Sequence, residues 1–288
     1  MKTRTIVSRR NALSMATFGI LGIPIPLSLS ARNLQFRNRI PEQEQDIPRH
    51  FPNLDPERVL EVVGKSHFDL ESVRKLVEAR PELAKSTWEW RFGDFESAIG
   101  AASHVGRRDI AQYLMSKGAR PTIFTFAMLG AFEVVKAAID FQPGIQRTTG
   151  PHGLSLLSHT FAGERMKDEM TNSEIDNLQR TIEFLEKLGD ANGENYIDLG
   201  SAEQQKYLGD YRYGPGEKDG FTININMRKL LSLAPLGGFG GALYKTGENR
   251  FIYNGAPSVV ISFDIQEEVV KSLKITDPDI TILAEKVS

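Results

Sequence analysis

The chain has 288 residues, of which 40% are hydrophobic and 25% charged, and these proportions are those of a soluble globular protein of one or two domains. Its formal net charge of −2 provides no general attraction to nucleic acid or to an anionic membrane surface. Cysteine is absent, which excludes disulfides, thiolate catalysis and cysteine-ligated metal sites.

Residues 1–30 have the composition of an export signal. Basic residues without any acidic residue come first, and an apolar stretch follows from Ala12 to Leu29. The run SRRNALSMA resembles a twin-arginine signal, although Ala12 stands where phenylalanine is usual. We therefore expect a bacterial protein of the periplasm or cell envelope that touches the membrane at most through an uncleaved signal.

Residues 31–56 are polar, hold four prolines and lack an apolar period, which predicts a linker. Asp55 followed by Pro56 predicts a helix N-cap with proline at the first helical position. The predicted order is an export signal (1–30), this linker (31–56), a helical region (57–193) and an antiparallel β domain (194–288).

The helical region contains short amphipathic helices that recur in pairs. The second helices of the pairs begin near Asp69, Gly106, Gly130 and Asn172, and a shorter helix rich in small residues precedes each of them. Gly106 is expected to form the turn within one pair, and Gly118 to reverse the chain after it. This recurrence predicts stacked helical hairpins, each burying its apolar face only against its neighbours.

The segment from Ser97 to Pro121, SAIGAASHVGRRDIAQYLMSKGARP, resembles an ankyrin repeat in the spacing of its small, apolar and turn residues. The resemblance extends over about four repeats, residues 57–193. It implies a non-enzymatic module that binds a protein partner through its concave surface and the loops between repeats. The candidate contact residues on two such loops are Trp88, Trp90, Arg91, Phe92, Arg147 and His152. The alternative is that the aromatic residues cover the end of the stack or the neighbouring domain.

After Asn195 the hydrophobic pattern changes to the two-residue period of β-strands. Eight segments have this character: LGDYRY, FTININM, KLLSLA, GALYKT, RFIYNG, VVISFDI, EVVKSLKIT and DITILAEK. They predict a small antiparallel β-barrel or curled sheet, and hence an α+β protein of two domains.

The order of these strand segments resembles the lipocalin-like β domain appended to exported serine-hydrolase-like proteins, which implies an accessory role. The alternative function is a carrier or sensor that holds a small apolar ligand in this domain. An interior filled by Phe221, Ile223, Leu231 and Phe263 would favour the accessory role.

No catalytic motif is recognisable, and we predict neither a catalytic residue nor a cofactor nor a nucleic-acid partner. The five histidines include no pair at the spacing that a metal site on one helix requires, so no metal ligand is predicted. His104 and His159 fall in first helices, where a structural or surface role is expected. Without a visible nucleophile and base, an enzyme is not predicted.

Overall fold

The structure, a computed structural model, describes residues 47–287. The expected export signal and the linker as far as residue 46 lie outside the described residues. Within residues 47–287, no helix combines the length and the hydropathy needed to cross a lipid bilayer.

The helical region consists of four successive helix pairs, as the sequence predicts. The first helix begins at the expected place, where the Asp55 carboxylate accepts a hydrogen bond from the backbone N–H of Glu57. The pairs are α1 (Pro56–Lys65) with α2 (Leu70–Ala79), α3 (Ala98–His104) with α4 (Arg108–Ser116), α5 (Ile123–Met128) with α6 (Phe132–Phe141), and α7 (Leu156–Ala162) with α8 (Asn172–Leu188).

The first helices of the pairs contact one another in series, and α2 packs on α4 and α6 on α8. In addition, α3 contacts α7, although these helices belong to pairs that are not neighbours. The expectation that each pair packs only against its neighbours is therefore wrong at this point. The close approach depends on small residues: a Cβ added to Gly106 would lie 1.9 Å from the carbonyl oxygen of Ala162. The relationship to ankyrin repeats stays a prediction.

Eight strands form a closed antiparallel barrel in the order β10-β3-β4-β5-β6-β7-β8-β9. A short helix, α9 (Ser201–Gln204), precedes them. All eight strand predictions are confirmed. The strands are β3 (Gly209–Arg212), β4 (Gly220–Ile225), β5 (Leu231–Pro235), β6 (Gly241–Gly247), β7 (Arg250–Tyr253), β8 (Ala256–Gln266), β9 (Val269–Asp277) and β10 (Ile280–Lys286).

Large side chains fill the interior of the barrel. Ile223, Leu231 and Phe263 are buried there, and Phe221 packs against them while partly buried. The ring of Phe263 lies 4.7 Å from that of Tyr207 and 5.6 Å from that of Phe251, measured between centroids. The interior of the barrel is therefore occupied by side chains of the chain itself.

A hairpin of β1 (Thr87–Glu89) and β2 (Phe95–Ser97) joins the helices to the barrel. The turn of the hairpin reaches the barrel, where the ring of Phe92 lies 4.9 Å from that of Tyr253. The carboxylate of Asp94 accepts a hydrogen bond of 2.9 Å from the side-chain amide of Asn254. Residues from Pro48 onward belong to one compact unit, so this junction is a packed interface.

Candidate metal centre

The carboxylate of Glu96 and the imidazole of His104 come from one continuous segment, in which β2 is followed directly by α3. Glu96 lies on β2 opposite Trp88, and its side chain is fully buried. The next residue, Ser97, caps α3 by accepting a hydrogen bond from the backbone N–H of Gly100. His104 is the last residue of α3, and its side chain returns to Glu96.

Two further histidines, in the connections between the longer helices, place their imidazoles next to Glu96. His67 lies between α1 and α2. His152 lies in the helical turn Pro151–Gly153 and has a φ of +61°, a left-handed conformation that costs a non-glycine residue free energy. We note that such strained residues cluster at functional sites.

The four side chains form the His/Glu cluster: His67, Glu96, His104 and His152. One ligand atom from each lies within 4.8 Å of those from the others. Oε1 of Glu96 is 2.9 Å from Nε2 of His104 and 3.3 Å from Nε2 of His152, while Oε2 is 3.4 Å from Nε2 of His67. Ligands bound at 2.0–2.1 Å to a tetrahedral zinc ion lie about 3.3–3.4 Å apart, which the spacings of His152 and His67 from Glu96 match, whereas the His104 contact is shorter.

The shortest of these contacts is not an aligned hydrogen bond. Oε1 of Glu96 and Nε2 of His104 are both buried and lie 2.9 Å apart, but they are not oriented as in a well-formed hydrogen bond. Buried polar atoms without a partner are costly, which is why they are rare in native proteins. Both atoms would be satisfied by an ion between the four side chains.

Outer contacts fix the orientation of the cluster. Nδ1 of His67 lies 3.0 Å from the carbonyl oxygen of Gly64, which can only accept, so Nδ1 donates this hydrogen bond and Nε2 faces Glu96. Nδ1 of His152 lies 2.7 Å from Oδ2 of Asp94, and the indole N–H of Trp90 donates to Oε2 of Glu96 over 2.7 Å. Carboxylates and carbonyls commonly hold metal-binding histidines in this way.

Burial and the neighbouring charged side chains shift the pKa values of these groups in opposite directions. Burial lowers the pKa of His104, whereas burial of Glu96 is outweighed by the imidazoles of His104 and His152, which hold the Glu96 pKa below its ordinary value. Burial would also lower the pKa of His152, but Asp94 and Glu96 outweigh it and raise that pKa to about 9. The site therefore supplies a carboxylate that stays ionised, and a bound cation would displace a proton from His152.

His159 lies beside the cluster without belonging to it. Its ring is 6.4 Å from that of His104, and its Nδ1 lies 2.9 Å from the carbonyl oxygen of Ser155. Burial lowers its pKa to about 4. A fully buried neutral imidazole agrees with the structural role expected for His159 in a first helix.

A cavity of about 700 Å³ opens in front of the cluster, between the helices and one end of the barrel. The three histidines of the cluster contribute to its wall, and Glu96 lies behind them. The remainder of the wall is mainly apolar, with four polar or charged side chains: Phe68, Trp90, Val105, Met227, Phe239, Tyr253, Arg91, Arg165, Asp94 and Asn254. The volume is that of a typical small-molecule site.

Some of the residues predicted to contact a protein partner line this cavity, and the others lie elsewhere in the chain. Trp90, Arg91 and His152 line the cavity. Trp88 packs with Trp90 against the helical core, and Phe92 against the barrel, as in the alternative that these aromatics cover parts of the chain itself.

Arg147 points away from the cavity, with 67% of its side chain exposed, and lies 3.7 Å from Asp190. Sequence analysis did not identify His67, Glu96, Asp94 or His104 as functional. No local spacing unites them, since the cluster extends from residue 67 to residue 152.

Neither a family model, nor a curated protein, nor a solved structure matches this chain. Its function therefore has to be argued from the site itself.

Proposed function

We propose that the protein is a metalloprotein that holds one divalent transition-metal ion in the His/Glu cluster. The observation that carries the proposal is the convergence of three Nε2 atoms and one buried carboxylate within 4.8 Å of one another. A purely structural network of the same residues would be expected to align its shortest contact as a hydrogen bond. Here that contact, from His104 to Glu96, is not so aligned.

The ligand types favour zinc or a neighbouring first-row ion. Imidazole nitrogen suits Zn²⁺, Fe²⁺, Ni²⁺ and Cu²⁺, whereas Mg²⁺ and Ca²⁺ prefer sites built from oxygen alone. The outer contacts from Asp94 to His152 and from Gly64 to His67 support this assignment, because they hold Nε2 toward the centre.

Titration of the metal-free chain with Zn²⁺ tests the proposal. We expect one ion to bind per chain with a dissociation constant below about 1 µM, because three imidazoles and a carboxylate are already assembled. Release of protons on binding is expected, since Asp94 and Glu96 raise the pKa of His152 and favour its protonated form in the metal-free chain. Saturation at no defined stoichiometry, or equal affinity for Mg²⁺, would count against a metal centre.

The partner-binding and non-enzymatic roles implied by the ankyrin resemblance stay predictions. Of the candidate contact residues, Arg147 has a mostly exposed side chain, which lies near Asp190, and the others pack within the chain or line the cavity. The convergence of His67, Glu96, His104 and His152 favours the metal centre as the site of function.

A further inference from the structure

We propose that the cavity binds a small organic monocarboxylate with an apolar tail, whose acid group is directed toward the His/Glu cluster. This inference rests on the proposed metal centre for its deepest contact. The rest of the cavity wall supports it independently through three properties: apolar side chains without a partner, an excess of positive charge, and a volume suited to a small molecule.

The apolar part of the wall is exposed in the structure. Met227 and Phe239 have relative exposures of 103% and 93%, and Phe68 is 60% exposed. Phe239 lies on the loop between β5 and β6 at the end of the barrel that borders the cavity. Exposed apolar side chains that line a cavity gain free energy when a ligand covers them.

The charged part of the wall is positive. Arg91 and Arg165 donate to the backbone carbonyl oxygens of Trp90 and Val105, and Arg91 also interacts with the Tyr253 hydroxyl. Among residues 47–287, neither guanidinium lies within ion-pair distance of a carboxylate. Asp94 also lines the cavity, and its carboxylate is engaged by His152 and Asn254. With a divalent ion added, the cavity attracts an anion.

The proposed ligand site differs in position from that of a carrier that holds its ligand inside the barrel. Aromatic side chains occupy the barrel interior, whereas the cavity lies outside it, against the helices. A ligand there touches both parts of the chain, and its acid group is the part that can reach the metal-binding imidazoles. Arginine and metal ions both bind carboxylate oxygens in preference to uncharged amides.

Calorimetry with octanoate on the zinc-loaded chain tests this proposal. We expect one octanoate per chain, bound at least about 100-fold more tightly than acetate because the tail covers apolar surface. Octanamide, which has the same tail without the charge, is expected to bind at least about 10-fold more weakly than octanoate. Absence of octanoate binding, or equal affinity for octanamide, would overturn the proposal.

Matched variants locate the site. Phe239→Ser and Met227→Ser are each expected to weaken octanoate binding by about 3- to 10-fold. Phe141→Ser is the control, because Phe141 is 89% exposed at the end of α6 and does not line the cavity. An equal effect of Phe141→Ser and Phe239→Ser would refute binding in this cavity.

The same titrations separate this inference from the proposed metal function. If Zn²⁺ fails to bind while octanoate binds with the expected variant pattern, the metal centre is refuted and the anion cavity is supported. If Zn²⁺ binds and octanoate does not, the metal centre is supported and the anion cavity is refuted.

Discussion

Replacement of His67 by alanine is expected to weaken Zn²⁺ binding by at least about 100-fold, because it removes one of the four side chains proposed to bind the ion. His67 is the most suitable ligand to remove, since its side chain is 23% exposed and Glu96 is fully buried. The loss of one partly exposed imidazole leaves little empty space, so the fold should tolerate the change. Competition of each variant with a chromogenic chelator for Zn²⁺ provides the measurement.

His50→Ala is the matched control for this variant. His50 lies in a separate surface hollow with Pro48 and Arg58, outside the His/Glu cluster. The control should retain wild-type affinity, whereas a second cluster variant, His104→Ala, should lose binding as His67→Ala does. Equal affinities of the His67→Ala and wild-type chains would show that the ion binds elsewhere.

Gly106→Ala is expected to destabilise the chain by about 4 kcal/mol or more, the largest stability effect that we predict. Gly106 has a φ of +74°, and an added Cβ would lie 1.9 Å from the carbonyl oxygen of Ala162 on α7. Backbone strain and a clash with backbone therefore act together. Gly118→Ala shares the backbone strain, with a φ of +87°, but its Cβ would meet only the end of the Lys85 side chain at 3.6 Å.

Comparison of the variants at Gly106 with those at Gly118 separates the free-energy cost of backbone strain from the cost of the clash with Ala162. Gly118→Ala should cost about 1–2 kcal/mol, and Gly118→Asn less, because asparagine tolerates the left-handed conformation. Gly106→Asn should remain as damaging as Gly106→Ala, because any Cβ meets Ala162. Urea denaturation followed by circular dichroism measures all four variants. Similar costs at the two positions would contradict the close packing of the turn at Gly106 against the end of α7.

Much of the fold follows from local patterns in the sequence. The strands alternate apolar and polar residues, and turn residues separate them, so the eight strands of the barrel could be predicted one by one. The Asp55–Pro56 cap and the turns at Gly106 and Gly118 are likewise local signals, and both glycines have positive φ as expected. The contact of α3 with α7 could not be predicted, because it depends on the curvature of the row of helix pairs, which no local sequence pattern indicates.

The candidate site could not be predicted for the same physical reason. Glu96 lies on a short strand, His104 at the end of a helix, and His67 and His152 in connections, so no periodicity relates them. The sequence predicts Trp90 and His152 as loop residues that contact a protein partner. The structure instead turns the indole of Trp90 toward Glu96 and the imidazole of His152 toward Asp94. Only the tertiary packing of the hairpin on α3 and on the barrel brings these side chains together.

X-ray absorption at the zinc edge of the chain loaded with one equivalent of Zn²⁺ tests the metal centre most directly. We predict four nitrogen or oxygen ligands at about 2.0–2.1 Å, with the multiple-scattering signature of three imidazoles. The His67→Ala chain should show two imidazoles at most. A wild-type spectrum of six oxygen ligands without imidazole scattering would contradict a metal centre formed by His67, Glu96, His104 and His152.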